Sequence, residues 1–126
     1  MDRIRVYVAG KITPTDPNRH PQLEFLENVT AGVSECIDLI LAGYAPVCTF
    51  FDFVYWLVDK RSKNISIDVI HDVSTSLLAG CQALYVLPGS KKSNGVKKEI
   101  KTAKKLGIPI FYSIEEMNTY FNPVDC

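Results

Sequence analysis

The chain has no excess of either charge: 14 Lys and Arg stand against 14 Asp and Glu in 126 residues. Domains that bind nucleic acid as their main partner carry a basic excess to neutralise phosphates, so that class is disfavoured. A CxxC pair is also missing. The cysteines stand at 36, 48, 81 and 126, and the two histidines, His20 and His71, lie far apart without ligand spacing. No zinc or other metal site is expected, and the thiols read as buried and free in a reducing compartment. No stretch approaches the roughly 18 apolar residues that a membrane-spanning helix needs. The opening MDRIRVYVAGKI lacks the apolar run and small-residue cleavage site of a secretory signal, so a cytoplasmic location is expected and the sequons at Asn28 and Asn64 read as chance. Repeats and low-complexity segments are absent, and nothing suggests an organic cofactor.

What is present reads as one domain spanning 1–126, with 47% hydrophobic and 22% charged residues and enough length for one core but not two. IRVYVAG (4–10) is a short apolar β-rich run ending in glycine. KITPTDPNRHP (11–21) holds three prolines and reads as a loop. From Gln22, the residues Leu23, Leu26, Val33, Ile37, Ile40 and Leu41 recur at helical spacing, with Gly43 just beyond as the stop. APVCTF (45–50), ALYVLPG (83–89) and IPIFY (108–112) are further strands. Helices are predicted over 65–79, with Ile67, Ile70, Val73 and Leu77 on one face, and over 94–106, with Val96, Ile100 and Ala103 inward. SIEE (113–116) is a capping box that opens a last short helix.

Strands that are continuous apolar runs and alternate with helices imply an α/β domain. It is a small doubly wound, Rossmann-like or flavodoxin-like parallel sheet of four to five strands with helices on both faces. Ligands of such folds sit beyond the carboxyl ends of the strands, where strand order reverses. The loop after Gly10, the segment after the second strand and the stretch LPGSKKSNGVKKEI (87–100) converge there. That stretch is not a nucleotide-binding P-loop: five residues separate Gly89 from Gly95, and Val96 follows where a lysine is required. Gly89 lets the chain turn off the third strand, and Ser93 or Asn94 can cap the next helix. Glu99 lies in the first turns of that helix, where the helix dipole favours an ionised carboxylate. Such a carboxylate beside a sugar can act as nucleophile or stabilise an oxocarbenium-like transition state. The lysines at 97, 98, 101, 104 and 105 read as a solvated face.

VYVAG, ENV with a long helix ending in LAGYAPV, LLAGCQALYVLPG, GVKKE and AKKLGIPIFY follow one another along almost the whole chain. Together they resemble the nucleoside 2-deoxyribosyltransferase-like superfamily, in particular its small branch often found in phage genomes. The resemblance implies cleavage or exchange of the N-glycosidic bond of a nucleoside or nucleotide. Glu99, in the place of the GxxxE glutamate, would attack the anomeric carbon of the sugar, with Tyr7 nearby. Gly10 and Gly95 would let backbone approach the ligand, with Lys11 in the same first loop and Gly89 in the second. Ser90, Ser93 and Asn94 are placed for a 5′-phosphate at a helix start. A homo-oligomer is implied too, a neighbouring subunit completing the pocket, with Asn118 and Asn122 as candidates to reach across.

The departures raise a second reading. The family's CDA is CQA here, with Gln82. Its site aspartate falls on Ser74 by one count and on Asp72 by another, and a two-residue offset on a helix turns a side chain by roughly 200°, so both cannot face the pocket. AGKIT stands in place of AGP. Losing acid–base help typically costs about 10²- to 10⁴-fold in rate. The first reading is therefore an N-glycosidase or transferase with Glu99 as nucleophile and Asp72 or Tyr7 assisting. The second is a catalytically silent, oligomeric sponge that sequesters a nucleotide-type immune signal such as a cyclic ADP-ribose derivative, in the host cytoplasm if phage-encoded. A structural protein that inherited only the fold is a third. In FFDFVYW (50–56), Phe51 and Trp56 are candidates to stack on a base, and the other rings to pack or form a subunit interface.

Overall fold

The computed structural model describes residues 2–12, 14–48 and 59–122, apart from the side chain of Ile67. The candidate stacking residues Phe51 and Trp56, with the rest of their aromatic run, lie outside the described residues. Strands β1 (Arg5–Ala9), β2 (Ala45–Cys48), β3 (Ala83–Val86) and β4 (Ile110–Phe111) form an all-parallel sheet in the order β2-β1-β3-β4. Tyr7 is in register with Val47 on one side and Leu84 on the other. The helices are α1 (Pro21–Leu41), α2 (Ile67–Ala79), α3 (Asn94–Leu106) and α4 (Ile114–Phe121), with a 3₁₀ turn at Lys60–Asn64 ahead of α2.

The protein is thus a small Rossmann-like α/β fold. Alternation along the strands divides its core in two. Val6, Val8 and Tyr85 pack with Cys36 and Leu39 of α1 and Met117 of α4. Tyr7, Ala9, Leu84 and Val86 pack on the other face with Leu78 of α2 and Val96 and Ala103 of α3. β1 is central and buried on both faces, which is why its sequence is apolar without alternation.

Caps set the helix ends. His20 Nδ1 accepts from the Gln22 N–H at 3.3 Å, Ser66 Oγ from Val69 N–H at 3.2 Å and Ser113 Oγ from Glu116 N–H at 3.2 Å. Gly107 closes α3 at φ 74°, a left-handed conformation that glycine adopts without a Cβ clash.

Helix rotation departs from the periodicity in two places. In α1 the predicted stripe of Leu23, Leu26, Val33, Ile37, Ile40 and Leu41 lies outside, and the buried residues are Glu24, Gly32, Cys36 and Leu39. In α2, Val73 and Leu77 are exposed while Leu78 is buried and Ile70, His71 and Ser74 are half-buried, so the inward face keeps Ile70 but is turned away from the rest of the predicted stripe. Apart from Leu39 and Leu78, the residues turned to the sheet in these helices are mostly small or polar, so hydrophobicity alone marks the wrong side. In α3 the predicted inward residues Val96, Ile100 and Ala103 do pack onto the sheet, because the rest of that helix is lysine-rich.

Buried polar links tie the α1–α4 face together. Tyr44 Oη donates to Asn118 Oδ1 at 2.8 Å, so the Asn118 side chain is engaged within its own chain. Tyr85 Oη donates to Glu35 at 2.5 Å; burial first, and then the Glu35 carboxylate, push the Tyr85 pKa up. Cys36, Cys48 and Cys81 form no disulfide among the described residues, and the hydrogen bond with Cys48, followed by burial, raises the Cys36 pKa and keeps it protonated. Tyr44 is fully buried, so Tyr44→Ala is expected to lower unfolding free energy by about 3–5 kcal/mol. Tyr44→Phe, which keeps the ring and loses one hydrogen bond, should cost about 1 kcal/mol. Urea unfolding with an unchanged m-value checks both.

Candidate functional site

In this strand order the chain leaves β1 toward β2 and later crosses back to β3, so the topological switch lies between the carboxyl ends of β1 and β3. Two loops meet there. The Lys11 N–H, just past β1, donates to Ser90 Oγ at 2.8 Å, and Ser90 itself is only 4% exposed. Gly89 makes the turn before it at φ 76°; an added Cβ would meet nothing within 4 Å, so it is the backbone conformation that calls for glycine. Ser90 N–H returns to Leu87 O at 3.1 Å and Ser93 N–H to Ser90 O at 3.0 Å, closing a compact turn that delivers α3 to the crevice.

The start of α3 differs from the other α-helix starts among the described residues. Ser93 is its N-cap, yet its hydroxyl makes no cap hydrogen bond. The first N–H groups of any α-helix lack intrahelical acceptors, so those of Asn94, Gly95 and Val96 point out of the end of α3. Gly95 has free space in front of it, the nearest atom to an added Cβ being Ser93 Oγ at 4.0 Å. Glu99 is half-buried and lies one turn beyond buried Val96, on the inward side of the helix and away from exposed Lys97, Lys98 and Lys101. Tyr7 is fully buried in the cluster that includes Val96.

Other positions singled out in the sequence are Ser74, Asp72 and Gln82. Ser74 is half-buried on the side of α2 that carries Leu78, and Asp72 is exposed. Gln82 lies at the amino end of β3, the far end of the sheet from the crevice. There its Oε1 accepts from the Arg5 N–H at 3.1 Å while its N–H donates to Arg5 O at 2.8 Å. A side-chain carbonyl serves as acceptor there as a carboxylate would, so glutamine for aspartate changes a strand brace and leaves the crevice untouched. Among the described residues, no group of three or more His, Cys, Asp or Glu is placed to hold a metal ion, and no helix is long and apolar enough to cross a membrane.

One site residue was not foreseen. Glu24, in the first turn of α1, is 3% exposed. Its carboxylate accepts from the backbone N–H groups of Thr15 and Asp16 at 3.1–3.3 Å and faces Lys11 Nζ at 3.5 Å. Asn28 Nδ2, one turn on, donates to Ile12 O at 3.1 Å. The loop leaving β1 is thereby folded around a single buried charge. Burial raises the Glu24 pKa, but the Thr15 and Asp16 N–H groups and then Lys11 outweigh it, and the net value is lowered. A carboxyl whose folded pKa is depressed stabilises the fold fully above its ordinary pKa, and that contribution is lost as pH falls through the lower folded value. Protection of the Thr15 and Asp16 amides, measured as exchange relative to the intrinsic rate at the same pH, should therefore fall on acidification below the ordinary glutamate range. In Glu24→Ala it should be roughly tenfold faster or more at neutral pH, because both donors lose their acceptor.

The model of a domain of unknown function, DUF7768, matches residues 21–113, from the start of α1 to the end of β4 and so including Glu24, Ser74, Ser90 and Glu99. No curated protein matches significantly. No solved structure does either. The matched span covers most of the chain, and the protein belongs to the DUF7768 family.

Proposed function

We propose that the domain binds a nucleoside- or nucleotide-derived ligand in the crevice between the β1 and β3 loops. There it cleaves or transfers the N-glycosidic bond, with Glu99 as nucleophile. The observation that carries this reading is the inward setting of Glu99 in the second turn of α3, behind a helix start whose cap hydroxyl is uncommitted. An anion such as a 5′-phosphate suits that start, since backbone N–H groups and the helix dipole favour negative charge together. Glu99 would then lie on the sugar side of the phosphate. In the reaction its carboxylate attacks the anomeric carbon as the bond to the base breaks. The base leaves with a proton taken from water, and a water or second base takes up the glycosyl group from Glu99 and returns a proton to solvent. Motifs resembling the nucleoside 2-deoxyribosyltransferase-like superfamily point the same way. The work would be done in the cytoplasm, of the host if the chain is phage-encoded.

A second reading has its own observation: Ser74, and not Asp72, is on the half-buried side of α2. Without a carboxylate to help the base depart, the same crevice holds its ligand without turning it over and acts as a sponge for a nucleotide-type signal such as a cyclic ADP-ribose derivative. Gln82 gives this alternative no support, being at the opposite end of the sheet.

Incubation of the purified protein with nucleosides, deoxynucleotides, NAD and cyclic ADP-ribose, read by chromatography with mass detection, decides between the two. Free base from one substrate, reduced about 10³-fold or more in Glu99→Gln with the ligand still bound, is the expected result. Intact ligand released only on heating, with no base formed, would leave the sponge. Gly95→Ala gives a separate check. In the first turn of α3 it should leave stability unchanged or raise it by about 0.5–1 kcal/mol, while weakening ligand retention through a methyl group in the anion's path.

A further inference from the structure

We propose that the outer face of α1 receives a second copy of this chain, the two helices packing antiparallel about a two-fold axis. Along α1, Leu23, Leu26, Thr30, Val33, Ile37 and Ile40 recur at alternating steps of three and four, the 3.5-residue spacing of a helix–helix seam. Leu41 extends the seam at its end. A helix on a globular domain normally turns such a stripe inward. Here the aliphatic members are between 38% and 70% exposed. Together they present several hundred Å² of apolar surface, at the upper end of what a monomer leaves bare in one patch. That area is comparable with the roughly 800 Å² each partner contributes to a stable interface.

Shape and charge both select a second copy. A shallow groove of about 490 Å³ runs along the N-terminal half of this face, lined by Leu23, Leu26, Glu27, Thr30, Ala31 and Ser34. The C-terminal half is bulky, with Ile37, Ile40 and Leu41. Laid antiparallel, each helix sets its bulky half into the groove of the other, the self-complementarity a two-fold interface requires. Each end of the face also offers one anion and one cation. Glu27 is bonded to Arg19 at the first end. At the other end are Asp38 and Arg3, the latter held by the carbonyls of Ile40 at 2.8 Å and Tyr44 at 3.0 Å. Antiparallel packing sets the Glu27–Arg19 end of each copy against the Asp38–Arg3 end of the other, so that each anion has a cation to face.

Sedimentation equilibrium of the full chain tests this with two substitutions at Ile37, which faces the region of Glu27 on the second copy. The wild type is expected to be a dimer at about 10 µM. Ile37→Glu, which adds an acid opposite an acid, should raise the dimer Kd about 100-fold or more. Ile37→Lys should dimerise at least about tenfold more tightly than Ile37→Glu. Position 37 is exposed in the subunit, so the circular dichroism spectra of both variants should match the wild type. A wild type that stays monomeric at about 100 µM, or an Ile37→Glu protein with the wild-type Kd, would overturn the interface. Equal losses in the two variants would overturn the antiparallel packing. None of these outcomes depends on whether the crevice binds a nucleotide.

Discussion

Parallel pairing of β1 between β2 and β3 leaves Val6, Tyr7, Val8 and Ala9 essentially without solvent contact. Both sides of that strand must then be covered by helices, and its chain meets water only after Ala9. Everything near the crevice is organised around this exit. Ser90 takes the Lys11 N–H, which fixes the distance between the β1 and β3 loops. Glu24 takes the N–H groups of Thr15 and Asp16, which folds the long first loop back onto α1. A buried backbone donor without an acceptor costs as much as a lost hydrogen bond, so each of these loops has few alternative paths.

The same exit explains the uneven character of the two helices that start beside it. α1 begins with a buried carboxylate whose acceptor capacity is taken up by its own loop. α3 begins with a turn whose cap hydroxyl makes no cap hydrogen bond and whose second residue is a glycine with space in front of it. An anionic ligand entering the crevice would therefore meet donors on the α3 side, with Glu24 screened behind its own hydrogen bonds. In the proposed reading this asymmetry orients the ligand, with its phosphate at α3 and its sugar toward Glu99.

The strands were legible because a parallel strand buried on both faces has no polar alternation to obscure it, and IRVYVAG and ALYVLPG each read as one apolar run. α3 was legible for the opposite reason, since its lysines leave only one apolar side. α1 and α2 were legible as helices but not in their rotation. Leu23, Leu26, Val33, Ile37 and Ile40 form a regular stripe that faces outward, while Gly32 and Cys36, small and inconspicuous, face the sheet. Periodicity reports that a stripe exists and says nothing of what covers it. Glu24 was missed because an acidic residue in a helix's first turn ordinarily serves the helix dipole in water, and only the tertiary path of residues 14–16 gives it buried partners. An i, i+4 set of Glu24, Asn28 and Gly32 along the inner face was the available signal. Ser90 was singled out as a ligand group, and its link to Lys11 joins residues 79 apart, beyond any local pattern.

The most direct measurement is a titration of ¹⁵N-labelled protein with AMP and with ADP-ribose, following each backbone amide by NMR. The account predicts that the largest shifts gather at Gly10 to Ile12 and at Ser90 to Val96, with the Glu99 amide moving as well. Shifts gathered at the amino ends of the strands around Gly80 to Gln82, or along the outer face of α1, would contradict it, as would no shift with either ligand at millimolar concentration.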